Sequence, residues 1–271
     1  ALASLPGIAL IIQPAPLVAA SPPQIRAAAQ QLAQVQPSQT YGYGGTVSEA
    51  VQFTNASAFQ ANGITGRGAS IAIVALGFGA GASEGGQFPA AATVSFRADG
   101  GMGADPSGTA MAEVVADMAP QADLTLIAVD TALSLRQAVN YVTGGGFTAV
   151  VCGAGSVDGP FDGTDVVCQA LATAANAGVF WIQAIGDYAQ RHWQGSWIDA
   201  NADGFLDFAG GSGIGISLPG GRFMVMLSWY ESSPGGVTAQ DYDLALYSGS
   251  GATATLIAQS SVTQNGHTPP I

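Results

Sequence analysis

Apolar runs alternate with helical patterns through the middle of the chain. Residues 69–78, Ala-Ser-Ile-Ala-Ile-Val-Ala-Leu-Gly-Phe, are almost wholly apolar, as a strand buried on both faces requires. A Gly-rich loop is expected from there to about residue 106. A helix from Ser107, a strand at 122–129, a helix from Ser134 through Tyr141 and a strand at 148–152 follow. A further helix over 163–176 and a strand at 179–185 complete the series. Strands alternating with helices predict an α/β fold with a parallel sheet and right-handed crossovers.

The alternation stops after Gly186. Residues 187–207 are polar and Trp-rich. Four short alternating runs come next, at 214–218, 222–230, 242–247 and 255–260, with Gly and Pro between them. They predict a small antiparallel β-sandwich. At the other end, residues 1–22 are apolar and Pro-rich, with a short strand expected at Ile8–Ile12. Pro22–Val35 carries Ile25, Ala29, Leu32 and Val35 at helical spacing, and residues 36–45 read as a linker. A short helix is expected from Ser48 to Phe59. The expected organisation is an arm and linker over 1–46, an α/β domain over 47–207 and the β-sandwich over 208–271.

Charge changes this picture. Charged residues are 9% of the chain, against roughly 25% in ordinary soluble proteins. The six basic residues are all arginine, and the net charge is -12. Nucleic acid is therefore excluded as a partner, because little is present to neutralise phosphates. No apolar run reaches the roughly 18 residues of a membrane span. A surface so poor in charge does little to oppose association, and suits a secreted or cell-surface protein that self-associates or binds a protein partner. Cys152 and Cys168 are either an oxidised pair or two buried small hydrophobes.

Ser107–Pro120 reads as a small-residue turn feeding a helix. Ser107 is the expected N-cap, Ala110, Val114 and Met118/Ala119 the expected buried face, and Pro120 the stop. This stretch, with Asp117-Met118-Ala119-Pro120 leading into a strand, resembles the subtilisin-like serine peptidases. The resemblance covers most of residues 45–271. It implies a histidine at Ser107, an aspartate at Ala75 at the end of the first apolar strand, and an oxyanion-binding asparagine at Asp187. Here the first two are replaced by residues without a base, and the third by a carboxylate that repels a developing oxyanion. The sequence holds no Gly-Thr-Ser nucleophile segment. The resemblance thus implies a pseudopeptidase, with residues 1–46 as a prodomain remnant. The alternative is a subtilisin- or sedolisin-type endopeptidase whose nucleophile lies in a C-terminal fragment, itself a candidate partner. Glu113 and Asp117 stand one helical turn apart, as the sedolisin pair does, but Glu113 lies six residues beyond the histidine position. They read instead as a partly exposed helix edge.

The strongest positive pattern is Asp199-Ala200-Asn201-Ala202-Asp203-Gly204-Phe205-Leu206-Asp207. Side-chain oxygens of Asp199, Asn201, Asp203 and Asp207 with the Phe205 carbonyl form a hard donor set suited to Ca²⁺, and Gly204 permits the turn. Without metal, the same residues make an Asx-rich turn. His192 and His267 are too far apart to suggest a metal pair. Asp241 and Asp243 read as turn formers. Trp229 and Tyr230 are core aromatics or, in a third reading, a surface on which a sugar or protein stacks.

Overall fold

The computed structural model describes residues 18–19, 47–79, 93–100, 105–156, 163–186, 191–209, 211–217, 225–229, 240–249 and 253–263. The chain divides into two compact units, Ala1–Gly186 and Asp187–Ile271. The boundary therefore falls at the end of the strand–helix alternation rather than at Phe208. The aspartate loop belongs to the second unit.

The first unit is built on a five-stranded parallel sheet. In chain order the elements are β1 (Val18–Ala19), α1 (Glu49–Phe53), α2 (Ala56–Ala61), β2 (Ser70–Ala75), β3 (Thr93–Ala98), α3 (Ser107–Met118) and β4 (Asp123–Ala128). Then come α4 (Ala132–Gly144), β5 (Ala149–Cys152), β6 (Ala154–Gly155), α5 (Val166–Asn176) and β7 (Phe180–Gln183). The sheet order is β3-β4-β2-β5-β7, so the first long apolar run forms the central strand. All four pairings are parallel, with Ile73 opposite Leu126 on one side and Val151 on the other. The expected α/β character and parallel sheet are present. The single helix expected at 48–59 is two, divided at Asn55, which takes a left-handed conformation.

The two faces of β2 meet different layers. Ala72 and Val74 join Leu135, Ala138 and Val142 of α4 and Ala174 of α5 in one core cluster. Ile73 and Ala75 join Ala112 of α3 and Leu126 in another. α3 turns Gly108, Ala112 and Ala116 inward, not the expected Ala110 and Val114, which are exposed. The reason is distance. A side chain at Gly108 would collide with the Gly77 carbonyl, and would lie 2.7 Å from Ala75 Cβ and 2.8 Å from Phe78. Only the smallest residues let this helix lie so close to the strand.

One strand falls where a loop was expected. β3 occupies Thr93–Ala98, a short alternating segment flanked by Gly, and forms one edge of the sheet. The strand expected at Ile8–Ile12 and the helix expected from Pro22 lie outside the described residues. Within the arm, Val18 and Ala19 pair antiparallel with Gly155 and Ala154.

In the second unit, β8 (Leu244–Ser248) and β9 (Thr255–Ser260) form a two-stranded antiparallel sheet with a bulge between Leu246 and Tyr247. Residues 214–217 and 225–229, expected to be strands, are not part of any strand. Trp197 and Trp229 both pack on Tyr242, at 4.5 and 5.2 Å between ring centres.

Adding one methyl group tests the close approach of α3. Gly108→Ala is expected to destabilise the first unit by about 2 kcal/mol, roughly 4–8 °C in melting temperature. Thermal unfolding by circular dichroism checks this, and Gly144→Ala, with open space around it, serves as the mild comparison.

Candidate functional site

Parallel α/β sheets place chemistry at the carboxyl ends of their strands. Here that edge carries Ala75 from β2, the start of α3, and the β5–β6 junction. The Gly108 amide donates to the Gly77 carbonyl at 3.1 Å, and the Thr109 hydroxyl donates to the Phe78 carbonyl. These bonds hold the start of α3 against the end of β2. Ala75 and the Ser107–Gly108 turn are therefore neighbours. Ala75 is 1% exposed and offers no polar atom beyond its backbone. Asp187, the third position, lies outside the described residues.

Ser107 is the first helical residue and not the cap. Pro106 holds the cap position, and the Asp105 carboxylate accepts from the Ser107 amide at 2.9 Å. Other aspartates act in the same way. Asp165 caps α5 by accepting from the amides of Val167 and Cys168. Asp130 accepts from the Ser134 hydroxyl at 3.1 Å, beside the capping box of Thr131 and Ser134 that starts α4. Asp99 holds Arg97 at 2.6 Å. Among the described residues, these carboxylates thus serve helix ends and a sheet edge.

Glu113 and Asp117 are half-buried on α3. Asp117 accepts from the Ser48 amide at 2.7 Å, and its own carbonyl accepts from Gln60 at 2.6 Å. It therefore fastens α1 and α2 to α3. Burial pushes both carboxyls above their ordinary values; for Glu113 the nearby Asp117 charge adds to this, and for Asp117 the Ser48 bond opposes it.

Gln183 is a positioning residue that sequence reasoning passed over. Its amide donates to the carbonyls of Ala154 at 2.8 Å and Ala184 at 3.0 Å, and accepts from the Trp181 indole at 3.1 Å. It fixes β6, the strand on which Val18 and Ala19 lie. The signal was present: Gln183 is the one polar residue in the apolar run 179–185. Nearby, Cys152 is buried, its thiol pushed up to about 11 by desolvation, and is not joined to Cys168 as a disulfide.

In the second unit the aspartate loop folds around its own backbone. Asp199 accepts from the amides of Asp203 and Gly204 at 3.1 and 3.0 Å. Asp203 accepts from Phe205 at 2.9 Å, and Asp207 from Ala200 at 2.8 Å. The turn needs Ala202 and Gly204 at positive φ, 57° and 84°. The Phe205 amide, then the Asn201 side chain, hold Asp203 below the ordinary carboxylate value. Among the described residues, no three His, Cys, Asp or Glu side chains are grouped to hold a metal ion. One oxygen of Asp203 also accepts from the Asn201 amide and the Ser212 hydroxyl, at 2.9 and 3.2 Å. His192 is exposed, His267 lies outside the described residues, and Trp229 sits edge-on to Tyr242.

No protein-family model matches the chain, and a search of curated proteins finds no match. No helix among the described residues is long and apolar enough to cross a membrane.

Two pH effects follow. The raised pKa of Glu113 means that its stabilising contribution is complete below its ordinary value and is lost as pH rises through the raised one. Glu113→Gln is therefore expected to raise the melting temperature at neutral pH by roughly 1–2 °C, and to leave it unchanged below about pH 4. Asp203 has the opposite sign. Its contribution is complete above the ordinary carboxylate value and is lost as pH falls through its lowered one. The Phe205 amide resonance, followed by NMR during acidification, should move with a midpoint below that of a free aspartate.

Proposed function

We propose that this chain is a secreted, non-catalytic relative of the subtilisin-like peptidases that serves as a structural, assembly or binding subunit. One observation carries the reading. At the carboxyl edge of the sheet, the positions that would hold the acid and base are Ala75, sealed beneath Gly108, and Ser107, whose amide is bonded to Asp105. A peptidase of this type needs a base poised on its nucleophile, and losing the base alone costs several orders of magnitude in turnover. A Cβ at Gly108 would lie 2.7 Å from that of Ala75, so the helix start and the strand end are closely packed there. The sedolisin alternative is disfavoured because Asp117 is committed to Ser48 and Glu113 is half-buried beside it.

An extended segment of the chain already lies on β6. Strand addition of this kind suits a binding protein as well as a peptidase, since main-chain bonds supply the affinity. The reading includes a β-sandwich in the second unit and Ca²⁺ in the loop Asp199–Asp207, where calcium would draw carboxylates now resting on amides into a shared shell.

Turnover of a casein-type substrate is expected to be absent at neutral and acid pH, with or without calcium. Hydrolysis that survives purification to homogeneity would overturn the reading. Isothermal titration is expected to show one Ca²⁺ bound, with binding lost in Asp199→Ala and in Asp203→Ala. No heat of binding in the wild type would remove calcium from the proposal.

A further inference from the structure

α3 covers only part of the sheet face on which it lies. It packs over β2, and the same face continues across β5 and β7. Val151 is paired with Ile73 on one side and Ile182 on the other, and Ala149 with Phe180, so these side chains share the face that α3 occupies. Phe180 and Ile182 are 67% and 47% exposed, and Val114 of α3 is 38% exposed. Between helix and strand runs an open groove of about 310 Å³, lined by Ala110, Met111, Val114, Val115 and Val151.

The chain itself supplies an occupant. Val18 and Ala19 pair with Gly155 and Ala154, directly beyond the carboxyl end of β5. Gly153 there lies against α3, since a side chain added to it would come within 2.6 Å of the Met111 methyl. The arm is thus fixed at one end of the groove, and Pro22 lies within about 10 Å of Ala19. The next fixed point is Ser48, whose amide donates to Asp117, about one turn beyond Val114 on the same helix. The chain leaves one end of the groove and returns at the other. In between, Ile25, Ala29, Leu32 and Val35 recur at helical spacing, and Arg26 is the sole charged residue of 20–46. A helix over 22–35 is about 21 Å long, against about 18 Å for α3. Residues 36–46 span up to about 36 Å, enough to reach Ser48. A short helix with an apolar stripe is stable only when that stripe is buried, and the tether holds it at the groove in high effective concentration. We propose that residues 22–35 form a helix lying along α3, with Ile25, Ala29, Leu32 and Val35 in the groove and over Ile182. The contact goes beyond the functional reading above and does not depend on it.

Hydrogen exchange on the full chain, read by mass spectrometry, tests it. The amides of 25–35 are expected to exchange at least about tenfold more slowly than in a free peptide of the same sequence, at every protein concentration. Val114→Lys, at an exposed position, and Leu32→Lys, which keeps a good helix former, should each remove that protection. Gln30→Lys, on the opposite side of the helix, should keep it. Circular dichroism melts establish that each variant is folded. Exchange of 25–35 at the free-peptide rate in the wild type would overturn the proposal. So would protection indifferent to Val114→Lys. Protection that develops only as concentration rises would also overturn it, because it would put a second copy in the groove.

Discussion

The close seating of α3 on β2 is the contact on which the rest of the first unit depends. β2 is central, so both of its faces must be covered by apolar residues. On one face α4 and α5 do this with Leu, Val and Ala side chains. On the other, α3 approaches through Gly108, Ala112 and Ala116. That approach uses the end of β2 as a packing surface. Ala75 is part of the core, and the helix start is locked to Gly77 and Phe78. A place where this topology could hold an acid and a base is filled by packing.

Charge is used in keeping with that. The chain has few charged groups, and among the described residues several carboxylates have structural work. Asp105 and Asp165 accept from the first amides of helices and Asp130 meets the hydroxyl of a capping box, while Asp117, at the other end of α3, fastens α1 and α2. Carboxylates at helix N-termini are favoured by the local dipole and by the unbonded amides there. The same economy leaves α5 and β7 without charge. Among the described residues of this edge, Ala75 and the start of α3 serve packing.

Much of the fold was legible in the sequence because parallel strands are buried on both faces and read as continuous apolar runs. β2, β4 and β5 were announced in that way; β7 carries the same apolar run although it is an edge strand with Phe180 and Ile182 exposed. β3 was not, since an edge strand carries a short alternating pattern that Gly-rich flanks disguise. The buried face of α3 was misread because its inward residues are Gly and Ala, which carry little hydrophobic signal, while exposed Val114 carries more. The seating of Gly108 over Ala75 was not legible, because neither residue carries a hydrophobic or polar signal of contact. The role of Asp117 was not, because Ser48 is 69 residues away in sequence. The aspartate loop was legible as a turn; its spacing encodes Asx turns and a cation shell equally, since both need the same oxygens.

The central proposal is that no serine of this chain is activated for catalysis. Intact-mass spectrometry after incubation with a fluorophosphonate probe tests it most directly, because the probe adds covalently only where a serine is activated by a base. The account predicts an unshifted mass for the folded chain at neutral and acid pH, with a known serine peptidase labelled in parallel. A stoichiometric mass increase on this chain, abolished by prior heat denaturation, would contradict it.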